Sequence, residues 1–143
     1  MFKPNESKSA ESWKIIRDGF AKKMGNTDKY VIAYGYFMKP GIFSQNIYRY
    51  IIGFSEADRE LVIIPLDEDD NPADALVLKK DDIISAKFGL QGNVKIKASG
   101  LQKELSFFVP GYSTETLESS YMLPILQEDE AAQFKKFIKE NFN

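Results

Sequence analysis

The chain has 143 residues, 43% of them hydrophobic and 28% charged, which is the composition of one soluble globular domain with a single core. Its formal net charge of −2 argues against general nucleic-acid binding, which needs a basic surface that releases counterions from phosphates. It contains no cysteine and no histidine, which excludes disulfides, thiolate catalysis and the commonest transition-metal ligands, so we expect no metal and no cofactor.

The N-terminal part of the chain is predicted to form a loose segment, residues 1–9, followed by a helix over residues 10–25. The loose segment lacks the apolar stretch of a signal peptide, and no part of the chain approaches the roughly 20 apolar residues that cross a bilayer. The sequence therefore predicts a cytoplasmic protein. Apolar residues of the predicted helix recur at the spacing of one helical face: Trp13, Ile16, Phe20 and Met24.

Short strands are predicted between residues 29 and 110, where runs rich in β-branched and aromatic residues alternate with turn signals. Val94, Ile96 and Ala98 alternate with lysines, which is typical of a half-buried strand. This spacing of strands favours an all-β barrel or sandwich. The seven predicted strands cover residues 29–39, 47–55, 60–66, 75–79, 83–88, 93–98 and 104–110.

The C-terminal part of the chain is predicted to form a helix over residues 128–142. Acidic residues 128–130 lie at its positive end and three lysines lie toward its negative end, as the helix dipole favours. Phe134, Phe137 and Ile138 give it an apolar face. The preceding segment, residues 111–127, is either a further strand or an apolar strap over the core. We see no linker, so residues 1–143 are interpreted as one domain.

The order of these elements resembles that of the pleckstrin homology (PH) superfold. The stretch LVLKKDDIISAKFG, residues 76–89, is similar to bacterial PH-like and GRAM-like domains, in which a charged turn and an Asp-Ile step, here Asp82-Ile83, separate two strands. The resemblance covers residues 30–142. It implies a mainly β fold, a seven-stranded antiparallel barrel or sandwich with a C-terminal capping helix, to which this chain adds an N-terminal helix. The C-terminal helix lacks the tryptophan common in eukaryotic members.

Two groups of basic residues are candidate anion-binding positions. Phosphoinositide-binding PH domains resemble one another in a basic motif on the first two strands. Lys39 and Arg49 match two of its positions, but Ile47 occupies a third, so a solvated strand end is favoured over a phosphate site. The second group lies in a stretch without acidic residues and predicts either a surface for anionic lipid or a strand kept soluble by its lysines: Lys87, Lys95, Lys97 and Lys103.

Metal-binding and catalytic motifs are not recognised. Asp67, Asp69 and Asn71 have the alternate spacing of a calcium loop, but Pro72 and Leu78 replace the required glycine and glutamate, so a polar hairpin loop is predicted. No nucleophile elbow, P-loop or dinucleotide fingerprint is present. We therefore predict no enzyme and no catalytic residue.

The leading hypothesis is a non-catalytic PH-like interaction module that binds a protein or peptide partner. The tyrosine-rich loop between the first two strands, flanked by Lys39, Tyr48, Arg49 and Tyr50, is the predicted functional edge, and the four lysines extend the candidate surface. One alternative is a peripheral membrane adaptor that uses the lysines and the amphipathic N-terminal helix. Another is a small-molecule-binding or hydrolytic β-barrel. No nucleic-acid partner is expected, and homo-oligomer formation is left open.

Overall fold

The structure, a computed structural model, describes residues 3–40, 45–115 and 122–142. These residues are mainly β, with antiparallel strands and a helix near each end, as the sequence predicts. The helices are α1 (Glu6–Met24) and α2 (Glu128–Phe142). The strands are β1 (Val31–Pro40), β2 (Gln45–Ser55), β3 (Glu60–Leu66), β4 (Leu76–Lys79), β5 (Ile83–Phe88), β6 (Val94–Ala98), β7 (Leu105–Phe107), β8 (Tyr112–Ser113) and β9 (Ile125–Leu126).

Helix α1 begins earlier than the sequence pattern predicts, so the prediction of a loose segment is wrong for residues 6–9. Asn5 caps the helix, since its side-chain oxygen accepts a hydrogen bond from the Lys8 N–H at 2.8 Å. Ser9 and Ser12 are buried on the inner face of the helix. The predicted end is confirmed, because Gly25 follows the last helical residue with a positive φ of 78°.

The described strands form three separate sheets and no closed barrel. The first sheet has the order β1-β2-β3-β4, the second has the order β5-β6-β7, and β8 pairs with β9. A single antiparallel bridge between Tyr36 and Phe108 joins β1 to the residue after β7. The described parts of the segment 111–127, residues 111–115 and 122–127, contribute two short strands as well as an apolar strap, so the described residues contain nine strands where the sequence predicts seven.

Both faces of the first sheet are buried. Side chains alternate between the two faces along each strand, and each face has its own core cluster. One face meets the second sheet and α2, and its core includes Phe54, Phe107 and Phe134. The opposite face meets α1 and the strap at residues 122–125, and its core includes Phe20 and Tyr34. The first sheet is therefore the middle layer of the molecule.

The apolar stripe of α1 is used within the fold. Ile16 and Phe20 are completely buried against the first sheet, and the Trp13 indole N–H donates a hydrogen bond to the Leu126 carbonyl at 3.0 Å. A helix docked in this way does not present its apolar face to a membrane. The alternative of a membrane adaptor would therefore depend on other residues.

The charged stretch before β5 is a turn. Residues Lys80–Asp82 form one turn of 3₁₀-helix, and a carboxylate oxygen of Asp82 accepts a hydrogen bond from the Lys79 N–H at 3.0 Å. The Ser99 N–H donates to the Asp82 carbonyl, so this turn also holds the end of β6. Asp82 therefore stabilises the connection between the first and second sheets through its carboxylate and its carbonyl.

Candidate partner-binding surfaces

Strands β1 and β2 extend beyond the point where β3 ends and beyond the bridge to the residue after β7. Strand β3 reaches only as far as Leu66, which pairs with Arg49, and the bridge to the chain after β7 ends at Tyr36. Beyond these points residues 37–40 and 45–48 pair only with each other among the described residues. We call this two-stranded segment the hairpin arm. The predicted functional edge between the first two strands, residues 41–44, lies outside the described residues.

Two aromatic residues of the hairpin arm lie on the same face. Phe37 and Tyr48 are directly opposite each other, and Tyr50 follows on the same face. Tyr50 packs against the core residue Phe107, with ring centroids 5.8 Å apart, and burial raises its pKa. Tyr48 is 46% exposed, and Lys39, on the same face, is exposed as well. The base of the arm is thus anchored in the core while its outer part presents an aromatic ring and a cation.

Arg49 lies on the opposite face of β2 and is only 3% exposed. Its guanidinium forms an ion pair with Asp70 and donates a hydrogen bond to the Asp67 carbonyl. The prediction that Arg49 belongs to an exposed surface is therefore wrong. The buried Arg49 side chain thus holds the acidic loop between β3 and β4 in place through charge-assisted hydrogen bonds.

That acidic loop is organised by its own hydrogen bonds. One Asp67 carboxylate oxygen accepts from the backbone N–H groups of Asp69 and Asn71, both at 2.9 Å, and Asp70 adopts a positive φ of 64°. The bond from Asn71 is the main cause that lowers the pKa of Asp67. No group of three or more metal-binding side chains is arranged around an ion site in the described ranges.

We expect Asp67 to stabilise the protein more at neutral pH than in acid. Because its pKa is lower in the folded state, its contribution is present above the unfolded pKa of about 3.9 and is lost as pH falls through the folded value. Denaturation of Asp67→Ala as a function of pH should show a shallower loss of stability on the acid side than the parent protein. Asp69→Ala is the matched control, because the Asp69 carboxylate accepts no hydrogen bond among the described residues. Equal acid-side slopes in both variants would contradict this role of Asp67.

The lysines form a strip on the outer face of the second sheet. Lys87 on β5 is directly opposite Lys95 on β6, and Lys97 follows two residues later on the same face. All three are exposed, and none forms an ion pair with another described residue. We call these three residues the lysine strip. Lys103 is exposed too, but it lies in the connection between β6 and β7 and not on the strands of the strip.

The turn between β5 and β6 adds a feature that the sequence analysis did not identify. Leu90 stands at this turn with its side chain fully exposed, at 109% of the reference area. It borders a groove of about 540 Å³ between the turn and α2, whose apolar lining includes Phe88 and Phe134. Lys135 and Lys139 line the same groove and are its only charged lining residues among those described. The signal in the sequence is a leucine within a glycine-flanked turn.

The buried polar groups serve packing. Every buried side-chain nitrogen or oxygen in the described part of the chain has a hydrogen-bond partner. Burial raises the pKa of Tyr34, whose hydroxyl accepts a hydrogen bond from the Leu123 N–H at 3.2 Å. Glu60 accepts a hydrogen bond from the Tyr30 hydroxyl at 2.8 Å. Such satisfied groups hold neighbouring segments together.

Comparison with known proteins gives no family assignment. No protein-family model matches the sequence, and no curated protein matches it significantly. The resemblance to PH-like domains therefore stays a prediction. In the part of the chain that the structure describes, neither helix has the length and apolar character needed to cross a bilayer.

Proposed function

We propose that this protein is a non-catalytic PH-like interaction module that binds a protein or peptide partner through the hairpin arm. The observation that carries the proposal is that the arm extends beyond the end of β3 and beyond the bridge at Tyr36. Tyr48 and Lys39 are exposed on its aromatic face. Aromatic residues are enriched where proteins meet, because they bury a large area at a small cost in side-chain entropy.

The backbone of the arm offers a second kind of contact. On the outer edge of β1, Tyr36 exchanges hydrogen bonds with Phe108 at 3.0 and 2.8 Å. Backbone groups of alternate residues point to the same edge, so Met38 directs its N–H and C=O outward, where no described residue accepts or donates. A two-stranded ribbon is marginally stable alone, and an added strand from a partner would pair this edge and cover the aromatic face.

The core of the molecule supports this interpretation over a hydrolytic or small-molecule-binding barrel. The space between the two sheets is filled by aromatic side chains, among them Phe54 and Phe134, whose ring centroids lie 5.6 Å apart. Recognition is therefore assigned to the outside of the fold. The PH-like order of strands and capping helix is the basis of the proposed class, by analogy in architecture alone.

Site-specific photo-crosslinking in the native host tests the proposal. A photoreactive phenylalanine analogue at position 48 should give a defined cross-linked partner, whereas the same analogue at Lys14, exposed on α1, should not. The purified partner should then bind the parent protein and bind Tyr48→Ser at least about tenfold more weakly, as expected for an aromatic anchor. No position-specific product, or equal binding of Tyr48→Ser, would contradict partner recognition by the arm.

A further inference from the structure

We infer that the turn between β5 and β6 docks on the surface of an anionic lipid bilayer and inserts Leu90 at the boundary between the lipid headgroups and the acyl chains. This inference does not rest on the hairpin arm, because it concerns the second sheet and α2. It follows from three observations: a fully exposed leucine, a closed turn that holds it outward, and lysines from two structural elements around it.

The turn presents Leu90 in a defined conformation. The Gly89 N–H donates a hydrogen bond to the Asn93 carbonyl at 2.8 Å, and the Gly92 N–H donates to the Gly89 carbonyl at 3.0 Å. Gly92 has a positive φ of 93°, which a glycine adopts without strain. The turn is closed by these bonds, and yet the leucine side chain at its tip is left entirely in water. A large apolar side chain held in this position is suited to leaving water on binding.

Cationic side chains surround this tip on two sides. The lysine strip occupies the two strands that the turn connects, with Lys87 and Lys95 paired directly across them. On the other side, Lys135 and Lys139 of α2 line the groove that Leu90 borders, and no acidic side chain is among its described lining residues. The net charge of the chain is −2, so this concentration of cations is local. A surface of this kind attracts an anionic one.

The shape of the site favours a bilayer over an acidic peptide. Leu90 projects from the turn, so a peptide bound to the lysines would leave much of the Leu90 side chain in water. A bilayer supplies anionic headgroups for the lysines and, a few ångströms deeper, an apolar layer for the leucine. Binding through one leucine and several exposed lysines should be reversible and sensitive to salt, because exposed charges are screened.

A fluorescent label at position 90 tests insertion directly. The chain has no cysteine, so Leu90→Cys creates a single labelling site for an environment-sensitive dye. We expect a blue shift on addition of phosphatidylcholine vesicles that contain roughly 30% phosphatidylserine, and its reversal in roughly 0.5 M NaCl. The same dye on Lys14→Cys of α1 should not respond, and neither label should respond to vesicles of phosphatidylcholine alone.

Charge variants of the otherwise unlabelled protein give an independent readout by vesicle sedimentation. Lys87→Glu with Lys95→Glu should weaken binding at least about tenfold, whereas Lys14→Glu with Lys22→Glu, which changes the net charge equally, should leave it nearly unchanged. Leu90→Ser should weaken binding about tenfold, from the transfer free energy of the leucine side chain. Circular dichroism should show that each variant keeps its fold, since all five residues are exposed.

Three results would overturn the inference. One is the absence of binding to anionic vesicles at low salt. Another is an equal loss of binding in the two charge-reversed pairs, which would indicate a general charge effect. The third is a response of the label at position 90 to soluble polyglutamate that equals its response to vesicles, which would assign the site to an acidic protein segment.

Discussion

Gly53→Ala is expected to lower the free energy of unfolding by about 2–3 kcal/mol, because the added methyl group has no space. An alanine Cβ at this position in β2 would lie 2.6 Å from Cζ of Phe20, well inside van der Waals contact. The phenylalanine cannot move aside easily. It is completely buried, and its ring packs edge-on against Tyr30 with centroids 5.0 Å apart. The substitution should therefore push α1 away from the first sheet.

Chemical denaturation followed by Trp13 fluorescence measures this effect, since Trp13 lies on the same helix. Gly111→Ala is the matched control, because a Cβ there would come no closer than 3.4 Å to its nearest described neighbour. Its stability should change by less than about 1 kcal/mol. In a Phe20→Leu background, Gly53→Ala should cost clearly less than in the parent protein, because the smaller side chain vacates the site. If the two costs were equal, contact between Gly53 and Phe20 would not be the cause.

Gln127→Met is expected to destabilise the protein by about 3 kcal/mol, because it removes the three hydrogen bonds of a buried side chain while roughly preserving its volume. The amide oxygen of Gln127 accepts from the Tyr34 N–H at 2.7 Å. Its amide nitrogen donates to the carbonyls of Tyr34 and Pro110, at 2.8 and 2.7 Å. The side chain thus satisfies the outer edge of β1 as a neighbouring strand would. Its own carbonyl accepts from the Ala131 N–H, so the same residue joins this edge to the first turn of α2.

Two further variants separate hydrogen bonding from other effects at this position. Gln133→Met, on the exposed face of α2, should change stability by less than about 0.5 kcal/mol. Gln127→Glu would place a carboxylate against two carbonyl oxygens, which should raise the pKa of the new side chain. A raised folded pKa means that stability is lost as pH rises above the unfolded value of about 4.3. Destabilisation by Gln127→Glu that stays the same from pH 4 to pH 7 would argue against this arrangement.

Elements with a strong local pattern were predictable from the sequence. Phe134, Phe137 and Ile138 recur at helical spacing, and all three are buried in α2. In β6 the alternation of apolar residues with Lys95 and Lys97 correctly gives the buried and exposed faces. Both cases follow from a periodicity that a single segment carries in full.

Features that depend on distant segments were not predictable in this way. Arg49 has the sequence context of an exposed strand residue, but its partner Asp70 is 21 positions away and buries it. The pairing of β8 with β9 joins segments that each contribute only two residues, too few for a strand pattern. The start of α1 is a further case, because Asn5 caps the helix while the Ser9 hydroxyl accepts a hydrogen bond from the distant Leu126 N–H.

The candidate surfaces also combine features that a local pattern predicts with features that depend on distant segments. The lysine strip was predictable in part, because alternation places Lys95 and Lys97 on one face, whereas its cross-strand partner Lys87 depends on the register of β5. The place of Leu90 in a glycine-flanked turn is visible in the sequence, but its full exposure is not. Its exposure depends on what α2 and the second sheet leave open.

The layer that covers the first sheet on the α1 side joins segments that the ribosome makes at very different times. The Leu126 N–H donates to the Ser9 hydroxyl, 117 positions earlier, and the Leu126 carbonyl accepts from the Trp13 indole, 113 positions earlier. Helix α1 is therefore synthesised more than 100 residues before the segment that completes its contacts. Until then the outer face of β1–β3 lacks part of its cover, and such apolar surface promotes aggregation.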